Sequence, residues 1–424
     1  MTLIGQGTKE GLLASQAIGE IVDAGLSELP VRAGSRVLAI VPDNTRSFEP
    51  AVVHRFLAGC RDRNARCDVL IANGTHAAMS EEKIDRFLCR RAALELFRDV
   101  QVYNHATRPD HLATLGTLDA MSVSDLSCGR LSEAVEITVN RRIFDYDLLI
   151  IIGPVFPHEV VGMSGGWKYF FPGISGVEVI NQSHWLGALI GIHDIIGRSE
   201  TPVRRMIERA GTLVAAKKPV ACLSLVLSSH DVHGLYFGDP VASHRAAAAL
   251  SQDVNIIWTP RRYRRIVAEC PAKYDELWTG GKLAYKTQEV VEQGGEIVMY
   301  APHLDRIAPQ HPDVENVGYH SLAYFLGQWD RFRGIEPSSI AHSTHVAGPG
   351  TYESGEEVLW ARRTLASGIS REHCESINLD YLDPDTISFA DRRPFGEAED
   401  TLWVPQAGEQ LFMAEEARTS LSAL

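Results

Sequence analysis

The sequence predicts an α/β fold built as two α/β domains. Three observations carry that expectation. Short apolar, β-branched runs alternate with amphipathic helical stretches, which is the pattern of an open sheet covered by helices. The early runs stop at polar loops, where an open α/β sheet collects its ligands. A chain of 424 residues is also too long for one core at roughly 100–200 residues per domain. The expected boundaries are residues 1–258, with about 406–424 returning to that domain, and 270–405 for the second domain.

The elements follow in order. Ser35–Pro42 reads as a strand stopping at DNTRS, Phe48–Arg63 as a helix, and Cys67–Ala72 as a strand ending at NGTH. A helix over Ser80–Phe97 has Ser80 as its cap. Asp147–Gly153 is a stronger strand opening into a Gly-rich segment, Gly153–His184. Ala221–Leu227 and Leu235–Phe237 read as strands joined by the turn SSHDVHG, and Asp253–Trp258 as another strand. The basic, Pro-flanked stretch Pro260–Pro271 reads as the domain boundary. Beyond it come a helix over Tyr274–Gln293, Gly294-Gly295, a strand Glu296–Tyr300 and a helix Asn316–Arg331. Leu402–Met413 reads as strands returning to the first domain.

Composition narrows the function classes. The 41 basic and 54 acidic residues give a net charge of −13, which argues against nucleic acid or anionic lipid as a partner. The longest apolar stretch, Leu148–Phe156, is broken by Gly153 and Pro154 and is far short of the ~20 residues that span a bilayer. Seven scattered cysteines without a C-x-x-C pair suit a reducing cytoplasm. The start, MTLIGQGTKEG, lacks the pattern of a signal peptide, so the expected location is the cytoplasm.

Four constellations carry chemistry. Gly153–His184 holds six glycines, three prolines, two histidines and Lys168, a density that suits backbone amides closing on an anion or plain packing against the sheet. It is not a P-loop, because Trp167 precedes Lys168 and Tyr169 follows it. Asp43-Asn-Thr-Arg46 offers a carboxylate and a guanidinium for a ribose and a phosphate, or equally a surface ion pair. His76, ending Asn73-Gly-Thr-His76, faces the same crevice if the two strands are parallel neighbours. With His158 it would supply an acid and a base near neutral pH. The pairs His230/His233 and His342/His345 and the looser His303/His311 lack the helical H-E-x-x-H arrangement of a zinc hydrolase. His342-Ser-Thr-His345 reads as the start of a strand, and it stays unassigned, as do His230, His233 and His105.

The spacing of these pieces resembles one family. DNTR, then GTH ending 33 residues after its Asp, then P-H-x9-K-x15-H with SGG before the lysine, resembles the lactate racemase catalytic subunit and its homologues. Those are 2-hydroxy-acid racemases and epimerases that use a nickel-pincer nucleotide. GDPVASHR (Gly238–Arg245) and Lys282 with Gly294-Gly295 extend the likeness along the chain. The resemblance implies that Lys168 tethers the cofactor, a pyridinium-3,5-bisthiocarboxylic acid mononucleotide carrying nickel, through a thioamide. It makes His184 the metal ligand and gives Asp43, Thr45 and Arg46 to the nucleotide. His76 and His158 become the paired acid/bases, and Lys282 the substrate-facing lysine. An S-C-S ligand with one imidazole suits square-planar Ni(II). The implied reaction is transient oxidation: one histidine takes the hydroxyl proton, the α-hydrogen leaves as hydride, and return to the other face inverts the centre. The active site is then expected in the interdomain cleft, with a small 2-hydroxy acid as substrate and the cofactor-making enzymes as partners. Oligomeric state is left open.

Where lactate racemases have Tyr-Gln before the second-domain lysine, this sequence reads Trp278-Thr279. The change predicts a substrate bulkier than lactate, with an apolar or aromatic C3 substituent lying against Trp278. The readings weighed against this one are a zinc-dependent hydrolase using His230 and His233, and a non-catalytic protein that merely carries the cofactor.

Overall fold

The computed structural model describes residues 1–389 and 400–417. The fold is mixed α/β, and the chain divides into two compact units. The first comprises Met1–Phe156, Met163–Ser183 and Ser199–Asn255; the second comprises Pro157–Gly162, His184–Arg198 and Ile256 onward.

A seven-stranded sheet forms the first unit, in the order Ile4–Gly7, Asp231–Gly238, Val220–Ser228, Leu148–Pro154, Arg36–Val41, Arg66–Ile71, Val102–Asn104. The five strands from Val220–Ser228 to Val102–Asn104 run parallel, and the other two close one edge antiparallel. Leu148–Pro154 and Val37–Val41 are buried along their whole length, as strands covered on both faces must be. Strand order reverses between Arg36–Val41 and Leu148–Pro154, so the crevice of an open α/β sheet opens after these two neighbours. DNTR follows one of them and the Gly-rich segment follows the other. The condition on which His76 is placed beside DNTR, that the two strands are parallel neighbours, is met, with Arg36 to Val41 registered against Arg66 to Ile71.

The second unit is built on a five-stranded parallel sheet, ordered Asp380–Tyr381, Arg362–Ser367, Val291–Ala301, Tyr263–Glu269, Thr401–Val404. Its core runs from Tyr263 and Ile266 through Leu283 and Met299 to Leu365 and Leu402. Several sequence readings are corrected here. Pro260–Pro271 is no linker: Ile266, Val267 and Ala268 are buried in a strand flanked on both sides, while the arginines at 264 and 265 stay exposed. The helix expected over Tyr274–Gln293 reduces to the short turns Leu277–Gly280, Lys282–Tyr285 and Gln288–Val290, and the next strand begins at Val291. The helix expected over Asn316–Arg331 is broken, since Gly318 leaves the helix at φ +69 and new turns start at Leu322 and Trp329. His342 and His345 lie in a helix, Pro337–Ala347, which Pro337 starts at its first position. In the first unit, the Ser80-capped helix stops at Phe87, ahead of Cys89 at φ +48. The helix Pro240–Asn255 delays the next strand to Ile256–Thr259.

The tail does not return to the first unit. Thr401–Val404 joins the second sheet, and Leu411–Ala414 pairs in parallel with Ile256–Thr259 of the same unit. Residues 418–424 of the expected tail lie outside the described residues. No helix among the described residues is long and apolar enough to cross a membrane.

Candidate functional site

In the first unit, Asp43 follows the strand Arg36–Val41 directly after Pro42, and Thr45 folds back on it. The Thr45 amide and hydroxyl both donate to Asp43 Oδ1, at 3.1 and 2.7 Å. The other carboxylate oxygen lies 2.5 Å from Nδ1 of His76. Asp43 is buried and His76 half-buried. A carboxylate accepting from Nδ1–H fixes the tautomer and makes Nε2 the nitrogen that can take a proton. The sequence pointed Asp43 at a ribose; in the structure its carboxylate is turned to His76 and Thr45.

The NGTH loop is tied to the Lys168 segment. Gly74 N donates to Gly173 O at 3.0 Å, and Gly173 N donates to Lys168 O at 3.1 Å. Lys168 is half-buried on the single turn Gly166–Tyr169. Arg204, fully buried, donates to the carbonyls of Gly165, at 3.0 Å, and Met163. His244 Nε2 lies 3.1 Å from the Ser164 carbonyl. Burial lowers the Arg204 pKa to about 10 and holds His244 well below the usual histidine range. Gly165 supplies the φ of +92 that the turn demands, and a Cβ there would come within 2.5 Å of Val155. Next to Lys168, the buried Tyr169 hydroxyl donates to Pro154 O at 3.1 Å and feels the charges of Arg46 and Asp43. Asp43, Thr45, Arg46, His76 and Lys168 thus belong to one connected loop cluster of the first unit.

His105 pins this cluster. Its ring accepts from Asn140 Nδ2 at 3.1 Å and donates to Ser175 O at 3.0 Å, while its amide donates to Asn73 Oδ1 at 3.0 Å. Burial lowers its pKa from 6.5 to about 4. The folded protein therefore leaves His105 neutral where the unfolded chain would protonate it. Stability is full above pH 6.5 and is lost as the pH falls toward 4, by on the order of 3 kcal/mol from this group. Urea unfolding at stepped pH checks this, and His105→Gln should flatten the decline relative to the parent.

In the second unit, Val160 N donates to His158 Nδ1 at 3.1 Å, a contact that favours the ring proton on Nε2, with a Glu159 carboxylate oxygen 3.5 Å from the same Nδ1. Lys286, wholly buried, donates to the carbonyl of Pro157 and fixes the backbone entering His158. Lys282 is buried, its Nζ 4.5 Å from the centre of the Tyr274 ring. Trp278 is stacked on both faces, by His311 at 3.7 Å and His342 at 4.1 Å between ring centres. It offers no open apolar face, which corrects the expectation of a substituent lying against it. Thr279 spends its hydroxyl on Glu276 O, at 3.0 Å within its own turn.

His342 links the predicted residues of this unit. A Cβ on Gly281, beside Lys282, would come within 3.0 Å of His342 Cε1. The charges of His311, His345, Glu159 and His184 all act on it, and burial above all depresses its pKa well below the usual range. His184 is half-buried on the helix Val177–Ile190. By contrast, His230 is exposed in the hairpin turn, and no group of three or more His, Cys, Asp or Glu among the described residues could hold a metal ion. Among the described residues, the hydrolase reading finds no such ligand set.

Residues 12–192 match the lactate racemase N-terminal domain family. Curated lactate racemases from Thermoanaerobacterium thermosaccharolyticum and Lactiplantibacillus plantarum are 25% and 23% identical over 49% and 55% of this chain. The chain belongs to the lactate racemase family. The alignments span about half the length of those relatives, 46% and 51%. A solved protein from Thermotoga maritima is 30% identical, with a TM-score of 0.88, over 97% of this chain and all of that one. The lactate racemase apoprotein of T. thermosaccharolyticum shares the fold, with a TM-score of 0.69 at 13% identity, over 98% of this chain and all of that one.

The residues present fit the cofactor that lactate racemases imply. Lys168 stands on a turn entered through Ser164 and Gly165, whose carbonyls are bonded by His244 and Arg204, and its lysine is the half-buried group on it. His184 offers a single imidazole, which suits a metal whose remaining ligands come from the cofactor itself. Sequence reasoning missed Glu159 and Arg204, paired His311 only loosely with His303, and left His342 and His345 unassigned. The available signal was their spacing: three residues apart on a helix places both imidazoles on one face.

Proposed function

We propose that this chain racemises or epimerises a 2-hydroxy acid larger than lactate by reversible hydride transfer, with a nickel-pincer nucleotide held by Lys168 and His184. When bound, that cofactor supplies the hydride acceptor. The observation that carries the reading is the pair of histidines preset in opposite tautomers: His76 with Nδ1–H on Asp43, and His158 with Nδ1 accepting from Val160. One is set to take a proton at Nε2 and the other to give one. His76 takes the substrate hydroxyl proton as the α-hydrogen departs with its electron pair, leaving a keto acid planar at C2. Hydride returns to the opposite face while His158 returns a proton to the oxygen, and the centre inverts. The reverse enantiomer exchanges the two roles. Lys282 holds the carboxylate through its buried ammonium. Enzymes that make the cofactor are the partners this chemistry requires, in the cytoplasm.

The test uses protein co-expressed with cofactor-making enzymes and a panel of enantiopure, α-deuterated 2-hydroxy acids, followed by chiral analysis. Inversion with the deuterium retained is the expected result. Washout of the label into water would replace hydride transfer by a carbanion route. Inversion of none of the acids, with zinc and no nickel on metal analysis, would overturn the assignment.

A further inference from the structure

The second unit holds a cavity of about 400 Å³ whose lining residues the reaction just derived does not use. Its volume falls in the ~300–1,000 Å³ range of small-molecule sites. It lies where the parallel strands Ile256–Thr259 and Leu411–Ala414 end, the side on which α/β proteins collect ligands. Arg262 follows the first strand, and Met413 and Glu416 come from the end of the second. The segment His184–Arg198 contributes His193 and Arg198 to the wall, and the turn Gln288–Val290 contributes Glu289. Arg198 is 8% exposed and Glu289 5%. His193 and Glu289 form an ion pair. Burial opposes the imidazolium, but the Glu289 carboxylate holds the His193 pKa above its usual value, so the pair is neutral as a unit. The other acids stand at the rim. Asp194 and Glu416 have side chains 75% and 65% exposed, 3.9 Å from Arg198 Nη2 and 3.0 Å from Arg262 Nε. Exposed pairs of this kind are worth about 0–1 kcal/mol and yield to a better ligand. The two guanidiniums are therefore the charge this cavity presents to a ligand.

We infer that this cavity binds a small phosphate monoester between Arg198 and Arg262. The class follows from the donors. One guanidinium fork matches two oxygens of one anion, so a single arginine satisfies a carboxylate. A phosphate monoester has three terminal oxygens and close to two negative charges at pH 7, so it can engage two forks. Met413 and Ala417 give its carbon part an apolar surface. The site is separate from the loop assigned to the nucleotide, because Asp43, Thr45 and Arg46 lie in the first unit. Arg198 ends the segment that begins at His184, so occupancy braces the stretch presenting that imidazole.

The experiment is calorimetric binding to the full chain at constant ionic strength, with turnover no part of the readout. Glycerol 3-phosphate is the ester, and succinate and inorganic phosphate are the comparisons. The ester is expected to bind tightest of the three. Arg262→Gln should weaken it about tenfold or more, the worth of a charge-assisted hydrogen bond. Glu416→Gln should act the other way and tighten it about two- to fivefold, because it frees Arg262 from a competing carboxylate. Arg46→Gln should leave the affinity unchanged. Added ester should slow hydrogen exchange at Ile192–Asp194 and Glu415–Ala417. No binding of the ester, tighter binding of succinate or of inorganic phosphate, or parental affinity in folded Arg262→Gln would each overturn the inference. Loss of binding in Arg46→Gln with Arg262→Gln unaffected would also overturn it, by moving the ester to the nucleotide loop. Unchanged or weaker binding in Glu416→Gln would do the same, and this surface variant decides the matter if circular dichroism shows Arg262→Gln unfolded.

Discussion

Lys168→Ala protein made alongside the cofactor-synthesising enzymes is expected to show the mass of the bare chain, where the parent carries a covalent adduct. The loss should be complete, because the attachment is a bond to one amine. The proposed tether would use a lysine held in a fixed turn. Its turn is fixed by Arg204 on the carbonyls of Gly165 and Met163, and by the Gly173 amide on the Lys168 carbonyl itself. Acylation also removes the ammonium charge from a half-buried side chain, which lowers the cost of desolvation. Lys168→Arg is the sharper control, since it keeps the charge and the length but presents no amine to acylate. It too should show the bare mass, with its thermal unfolding midpoint unchanged. His184→Ala should keep the adduct and lose nickel on elemental analysis. An adduct of full occupancy on Lys168→Arg would refute the tether.

The parts of this arrangement that the sequence made legible are those coded by local pattern. Arg36–Val41 and Arg66–Ile71 are largely apolar runs ended by polar loops, so the strands and the loops they carry could be read without coordinates, while their pairing stayed a condition. The second unit was harder, for physical reasons. Tyr263–Glu269 carries arginines at its exposed positions, which disguised a central strand as a basic linker. Leu277–Tyr285 has helical spacing but contains Gly280 and Gly281, and only tertiary packing decides that it breaks into two turns. His342 and His345 were unreadable because His-Ser-Thr-His has weak preference for either state; Pro337 and packing settle it as helix. The role of Asp43 depended on a contact across 33 residues of sequence, which no local pattern reports.

That contact gives the second large expectation. His76→Ala should lower racemisation by roughly 10²–10⁴-fold, the usual worth of one positioned acid/base. Asp43→Asn is more telling because it preserves shape. Thr45 would keep its two hydrogen bonds to the Asn carbonyl oxygen, since both now go to Asp43 Oδ1. The amide nitrogen would then face His76 Nδ1 and donate to it. This drives the imidazole proton onto Nε2, the position that must be bare to accept the substrate hydroxyl proton. The expected loss is again about 10²–10⁴-fold in kcat, with KM little changed and the cofactor adduct on Lys168 intact by mass. The alternative role for Asp43, a ribose ligand, predicts the reverse pattern. Its removal would then deplete the adduct, and activity per loaded site would survive. Measuring kcat per adduct in Asp43→Asn separates the two. A loaded Asp43→Asn enzyme with parental kcat would show that Asp43 serves the nucleotide and that His76 keeps its tautomer without it.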